Sequence, residues 1–225
     1  MALARAEVVQ QMLDRFVDPT YLEIGVSVGD TFHSVRAKRK VAVDPAFGFT
    51  PPPNTPEVRY YAVTSDEYFG DPAVNDVFDV IYLDGLHTFE QTLRDFTNSI
   101  ERLNAGGVIV IDDVLPSSYH ASIRDHRTSV RVRTALGATN KSWMGDVYRL
   151  VFFIRSFFQQ FETATVMENH GELVVWRKTR SAETIVDRRV EEVGRLPFEA
   201  TVTNRDEYRL LPLAEILRMI DGNHR

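Results

Sequence analysis

The sequence predicts an α/β fold built on a doubly wound, mostly parallel sheet of seven strands. Short apolar runs recur along the chain, and each looks like a buried strand. Stretches with helical periodicity lie between several of these runs, an alternation typical of a parallel sheet covered on both faces. The last two runs flank the turn at 168–171, which predicts an antiparallel hairpin at the end of the sheet.

The elements follow from these patterns in chain order. A first helix is predicted because Val9, Met12, Leu13 and Phe16 recur at helical spacing. Further helices are predicted over 31–38, 89–103 and 145–160. The apolar runs predict strands at 21–24, 41–43, 58–63, 78–83, 108–111, 163–167 and 173–176.

We therefore divide the chain into an N-terminal helix at 1–17, a main domain at 18–180 and a C-terminal extension at 181–225. Within the main domain, 114–144 is polar and lacks sustained periodicity, so we expect a long loop there. The extension ends in a helical stripe of Leu213, Ile216, Leu217 and Ile220. This stripe should pack against the body or against a second subunit in a homo-oligomer.

Composition narrows the range of functions. The chain has 225 residues, 44% of them hydrophobic, no cysteine and a formal charge of −6. The absence of cysteine excludes thiol catalysis and thiolate zinc sites. The acidic balance gives no general attraction to nucleic acid or anionic lipid, and no apolar run approaches a membrane span of about 20 residues. We therefore expect a cytoplasmic protein with a small-molecule partner.

A glycine-containing turn follows the first predicted strand. Glu23 precedes Gly25 by two residues, and Gly25 and Gly29 are four apart, which differs from the spacing of a dinucleotide-binding loop. Asp44 ends the second strand, where its carboxylate can accept both hydroxyls of a ribose. The ligand is thus expected to be a nucleoside without a pyrophosphate. The alternative is that the glycines serve only the turn and that Asp44 caps a loop.

Three carboxylates follow the next two strands along the chain. Asp84 ends the fourth strand, and Asp112 and Asp113 end the fifth. If these strands are neighbours, the three side chains share one crevice, and an all-oxygen cluster suits Mg²⁺ or a similar divalent cation. The alternative is that Asp84 or Asp112 caps the following segment while Asp113 is solvated. Adjacent strand residues point to opposite faces, so Asp112 and Asp113 could share an ion only where the chain leaves the strand.

The turn and the acid after the second strand resemble those of class I S-adenosylmethionine-dependent methyltransferases, over about residues 18–178. The resemblance implies that Gly25 and Gly29 flank the methionine part of the cofactor and that Asp44 holds the ribose. It also implies that Ser65 and Asp66 lie near the adenine, although Glu67 is an alternative.

The carboxylates resemble those of metal-dependent O-methyltransferases, of both the catechol and the macrolide sugar type. The string Asp84-Gly85-Leu86-His87 is similar to that of the sugar group, where the histidine is the proposed base. Neutral histidine near pH 7 can accept a hydroxyl proton. An isolated histidine in the first turn of a helix would instead bond to backbone or solvent.

The segment 114–144 carries five basic residues against Asp125 alone. Because it follows the fifth strand, we expect it to form a lid in which Arg127 and Arg131 bind an anionic or polyhydroxylated acceptor and Trp143 forms an apolar wall. The alternative is a solvated loop.

Together these features predict a methyltransferase that uses S-adenosylmethionine to methylate a hydroxyl of a sugar or a natural-product intermediate, assisted by a divalent metal. The competing hypotheses are a metal-independent enzyme of the same fold and a catalytically silent module that binds a protein. A nicotinamide-dependent oxidoreductase is disfavoured by the glycine spacing.

Overall fold

The computed structural model describes residues 3–222. Its single sheet has eight strands: β1 (Thr20–Ile24), β2 (Arg39–Val43), β3 (Val58–Tyr61), β4 (Phe78–Leu83), β5 (Leu103–Ile111), β6 (Phe161–Val166), β7 (Leu173–Arg177) and β8 (Leu210–Leu211). Their order is β3-β2-β1-β4-β5-β7-β6-β8. Strand β7 runs antiparallel to both of its neighbours, and the other paired strands are parallel. The predicted mixed sheet and its hairpin are confirmed.

Nine α-helices accompany the sheet in the described part of the chain. They are α1 (Arg5–Leu13), α2 (Asp30–Ser34), α3 (Ser65–Gly70), α4 (Phe89–Glu101), α5 (His126–Ala135), α6 (Arg149–Phe157), α7 (Val190–Val193), α8 (Ala200–Thr203) and α9 (Leu213–Asp221). None of the helices within residues 3–222 is long and apolar enough to cross a membrane.

Several elements were not predicted from the sequence, namely β8 and the helices α3, α5, α7 and α8. The eighth strand, β8, has two residues and pairs with β6, and so short a run carries no periodicity that could reveal it. The polar segment 114–144 contains helix α5, of which Ser129 is the buried residue. Because α5 packs so little apolar surface, its sequence lacks the stripe that identifies the other helices.

The core consists of two apolar layers, one on each face of the sheet. One layer packs α4 and α6 against Leu22, Ile81 and Ile109 of the strands. The other packs α1 and α9 against Tyr21 and Val80. Side chains alternate between the two faces along each strand, so both faces of the central strands are buried.

The C-terminal stripe packs on the body of the protein, as one of the two expectations held. Leu213, Ile216 and Ile220 are buried in the same layer as α1, and Leu217 packs against them while partly exposed. Arg15 of the segment after α1 pairs with Asp221 of α9, with 2.8 Å between Nε and Oδ1. The end of the described chain is thereby joined to its beginning.

We expect Ile216→Ala to lower the free energy of unfolding by about 2–5 kcal/mol, because it leaves a cavity at a fully buried position. Arg218→Ala, on the exposed side of the same helix, is the matched control and should change it by less than about 0.5 kcal/mol. Chemical denaturation measures both values. Equal effects of the two substitutions would contradict the packing of α9 described above.

Candidate active site

A cavity of about 740 Å³ opens at the carboxyl ends of β1, β2 and β4, where the strand order reverses. In an open α/β sheet, ligands bind at this switch point. The predicted site residues that line it are Glu23, Gly25, Asp44, Ser65, Asp66, Asp84, His87, Asp113 and Trp143. Most of the site residues predicted from the sequence therefore lie together in this cavity, although they come from six separate segments of the chain.

The turn between β1 and α2 forms one wall of this cavity. Gly25 has a φ of 84°, and a Cβ there would lie 2.1 Å from the carbonyl oxygen of Asp84. Only glycine allows the turn to approach the end of β4 so closely. Gly29, also at positive φ, does not line the cavity, and a Cβ there would clash with the ring of His33. Ser27, at a φ of 51°, lies between them in the cavity wall.

Asp44 fixes this turn through its carboxylate. Its Oδ2 accepts hydrogen bonds from the backbone N–H groups of Val26 and Ser27, each at 2.8 Å. Its Oδ1 accepts one from the N–H of Ala46 at 2.7 Å. The carboxylate therefore stabilises the loop, as one of the sequence-based alternatives held, while it also lines the cavity.

Glu23 lies beneath the turn and is 2% exposed. The Tyr21 hydroxyl donates to its Oε2 at 2.5 Å. Burial raises the pKa of Glu23 to about 8, because the protein interior disfavours its charged form. Near neutral pH this side chain is therefore mostly uncharged.

The opposite wall is formed by the start of α3 and by α4. The amide nitrogen of Gln91 lies 3.1 Å from Ser65 Oγ, 3.2 Å from Asp66 Oδ1 and 3.0 Å from Asp95 Oδ1. Glu67, the alternative candidate, forms a capping box with Thr64 and does not line the cavity. Gln91 and Asp95 were not predicted from the sequence, since each stands within an ordinary helical pattern.

His87 lies between two carboxylates in the cavity wall. Its Nδ1 is 2.8 Å from Asp113 Oδ2, and its Nε2 is 3.4 Å from Asp84 Oδ1. Burial alone would lower the pKa of His87, but the two acids outweigh it and raise this pKa to about 10. The two acids therefore favour the charged form of His87, whereas the sequence analysis expected a neutral imidazole near pH 7.

Asp112 does not join this group. Its Oδ2 accepts a hydrogen bond from the Tyr82 hydroxyl at 2.9 Å and pairs with the guanidinium of Arg5. Burial and the nearby acids Asp84 and Asp113 raise the pKa of Asp112 to about 8. The ligand atoms that lie within 4.8 Å of one another belong to Asp84, His87 and Asp113, so the structure does not bring all three aspartates together. Asp112 and Asp113 follow the end of β5, and it is Asp113, at a φ of 59°, that faces Asp84 and His87.

Arg5 is a further cavity residue that the sequence analysis missed. It is the first residue of α1, and its guanidinium pairs with Asp112 and, at 3.3 Å, with Asp113 Oδ1. Nothing in the local pattern of α1 distinguishes Arg5 from a solvated arginine, because its partners are more than 100 residues away in the chain. Asp113 thus contacts both Arg5 and His87.

A family model for a methyltransferase domain matches residues 22–114, the part of the chain that supplies nearly all of the cavity wall. This match indicates a methyltransferase domain in that part of the chain. A search of curated proteins finds no significant match.

Several solved structures share the fold of this chain. A provisionally assigned caffeoyl-CoA O-methyltransferase from Staphylococcus aureus is 14% identical, with a TM-score of 0.52, over 79% of this chain and 86% of its own. An O-methyltransferase from Bacillus cereus, solved with S-adenosylhomocysteine, is 13% identical, with a TM-score of 0.50, over 78% and 82%. A provisionally assigned O-methyltransferase from Klebsiella pneumoniae is 10% identical, with a TM-score of 0.52, over 79% and 82%.

The segment 114–144 covers part of this cavity through Trp143. The indole stacks on the ring of His87, with centroids 5.0 Å apart and an interplanar angle of 13°. Its Nε1 donates to the carbonyl of Ile123 at 2.7 Å. An aromatic face against an imidazolium is a favourable electrostatic contact.

Arg127 and Arg131, by contrast, are exposed residues of α5, and neither lines this cavity. The expectation that they bind the acceptor therefore gains no support from their position. The segment forms a helix where a mobile loop was expected.

Gly145, directly after this segment, allows the backbone to approach His87 closely. Its φ is 62°, and a Cβ would lie 1.7 Å from the carbonyl oxygen of His87. Gly137 has nearly the same φ, 61°, but open space around it. We expect Gly145→Ala to destabilise the protein by about 1–3 kcal/mol more than Gly137→Ala, because both carry the backbone strain but only the first carries the clash.

Thermal unfolding of the two variants measures this difference in stability. Trp143 fluorescence reports whether the indole moves away from His87. The described contact would be wrong if Gly145→Ala matched Gly137→Ala in both properties.

Proposed function

We propose that the protein transfers the methyl group of S-adenosylmethionine to a hydroxyl of a small molecule, such as a sugar or a natural-product intermediate. The observation that carries this proposal is the position of Asp84, His87 and Asp113 in the wall of the cavity lined by the glycine turn. These groups can orient a hydroxyl and accept its proton beside a bound methyl donor. The description of several structural neighbours as O-methyltransferases is consistent with a hydroxyl acceptor.

We place the cofactor by the walls of the cavity. The methionine part would lie against the turn from Gly25 to Gly29, above the buried Glu23. The ribose would approach Asp44, and the adenine would lie beside Ser65 and Asp66. These residues line one continuous cavity, except for Gly29, which belongs to the turn but does not line the cavity.

The bonds of Asp44 limit what it can do for the ribose. An ionised carboxylate has about four acceptor positions, and three are used by backbone N–H groups. One position on Oδ1 remains. We therefore infer one hydrogen bond from a ribose hydroxyl to Asp44, rather than the two that the sequence suggested.

The residues do not fit the Mg²⁺ site that the sequence suggested. Asp112 is held by Tyr82 and Arg5, and the ligand atoms that come within 4.8 Å of one another belong to Asp84, His87 and Asp113. This set includes an imidazole, whereas Mg²⁺ prefers oxygen ligands. The charges of the two acids are also balanced by His87 and Arg5. We therefore propose transfer without a metal.

The proton of the acceptor hydroxyl must leave as its oxygen attacks the methyl carbon. The carbon–sulfur bond breaks, its electron pair stays on sulfur, and S-adenosylhomocysteine is released. Burial raises the pKa of Asp84, which makes its carboxylate a stronger base than an exposed one. Because both ring nitrogens of His87 already face carboxylate oxygens, we assign proton acceptance to Asp84 and orientation of Asp84 to His87.

Isothermal titration with S-adenosylhomocysteine tests the cofactor part of the proposal. We expect saturable binding by the parent, and about tenfold or more weaker binding by Asp44→Asn, which loses a charge-assisted hydrogen bond and loosens the turn. Glu67→Gln is the control and should bind like the parent, because Glu67 does not line the cavity. Absence of binding to the parent at millimolar ligand would refute the proposed function.

Electron paramagnetic resonance with Mn²⁺ alone tests the metal-free part. We expect no micromolar binding by the parent, and at least about tenfold tighter binding by Arg5→Gln, because removal of a nearby unit charge exposes the acids to the ion. Arg15→Gln, whose partner is Asp221, is the control. Micromolar binding by the parent that Asp84→Asn abolishes would overturn this part and restore the metal-assisted hypothesis.

A further inference from the structure

A second cavity, of about 860 Å³, adjoins the first. The two share a wall formed by Arg5, Asp30, Thr31, Asp113, Ser142 and Met144. Asp113 therefore faces both spaces, whereas the glycine turn and His87 line only the first. A molecule in the second cavity can reach the acids at the shared wall without occupying the place of the cofactor.

Apart from the shared wall, the second cavity is lined by parts of the chain that the first does not use. Among the described residues, none after Met144 lines the first cavity. The second takes Asn169 and His170 from the turn between β6 and β7, and Phe198 and Arg205 from the C-terminal extension. The C-terminal extension thus lies beside the candidate active site.

The charge of the second cavity differs from that of the shared wall. Both of its acids, Asp30 and Asp113, belong to the shared wall. The remaining lining carries His170 and Arg205 and no carboxylate. Neither of these two side chains has an ion pair or hydrogen bond to an acid in the described chain, so both can meet an anionic ligand.

The walls between these groups are partly apolar and well supported. Leu115, Pro116 and Phe198 supply apolar surface. The turn that carries His170 is packed closely, because a Cβ at Gly171 would lie 2.2 Å from Cβ of Leu115. Asn169 Oδ1 accepts hydrogen bonds from the N–H groups of Gly171 and Glu172. The imidazole therefore projects from an ordered turn.

From this arrangement we infer that the second cavity binds the acceptor, and that the acceptor carries an anionic group, carboxylate or phosphate, held by Arg205 with His170 beside it. This inference rests on the proposed function and extends it to the class of substrate. The hydroxyl to be methylated would lie at the shared wall near Asp113, and the body of the acceptor would lie against Leu115 and Phe198. An arginine binds either anion through paired N–H groups.

The test compares three hexoses that differ at one carbon: glucose, glucuronate and glucose 6-phosphate. Each is titrated into the protein saturated with S-adenosylhomocysteine. We expect at least one anionic hexose to bind about tenfold or more tightly than glucose, since one charge-assisted bond has that effect. The glucuronate and phosphate arms show which anion the site takes.

Variants of Arg205 locate the effect. Arg205→Gln should remove the preference for the anionic hexose, and Arg205→Lys should restore part of it. Arg218→Gln is the control, since Arg218 lines neither cavity and bonds only within its own helix. Affinity for S-adenosylhomocysteine should stay unchanged in all three.

The inference fails if the anionic hexoses bind no better than glucose, if none of the three binds, or if Arg205→Gln keeps the preference. A preference lost in Arg127→Gln instead would place the anion at α5. If S-adenosylhomocysteine itself does not bind, the proposed function fails first, so the two failures are distinguishable.

Discussion

The ion pairs of Asp113 hold the site together. This carboxylate meets His87 from the segment after β4 and Arg5 from the first helix, so one side chain joins two distant parts of the chain. Its own position depends on the chain leaving β5 at positive φ. Buried charges are stable only when they are paired, so the arrangement of the acids dictates that of the cations around them.

This pairing also explains how the two cavities relate. Arg5 and Asp113 form part of the wall that the two cavities share. This wall is polar, whereas the core layers on the two faces of the sheet are apolar. On one side lies the turn shaped by Gly25, which approaches the end of β4 too closely for any side chain. On the other side lies the C-terminal extension. A two-substrate reaction needs two spaces that meet at one reactive boundary.

Most of the fold could be predicted from the spacing of apolar residues, because buried strands and amphipathic helices have repeating apolar patterns. It failed for β8, which is too short, and for α5, which buries little. In the site, strand ends predicted Asp84 and Asp113 as neighbours. Alternation could not decide between Asp112 and Asp113, because the outcome depends on one backbone angle. Arg5 was beyond prediction, since its contact forms only when α1 packs on the sheet.

Backbone strain is concentrated where the cavity is. Of the five non-glycine residues at positive φ in the described chain, Ser27, His87 and Asp113 line the first cavity. Each such residue costs roughly 1–3 kcal/mol, and glycine would adopt the same angles freely. Glycine at position 87 or 113 would relieve this strain, but it would also remove the ion pairs between His87 and the two acids. A substitution chosen only to relax the backbone would therefore dismantle the wall of the cavity.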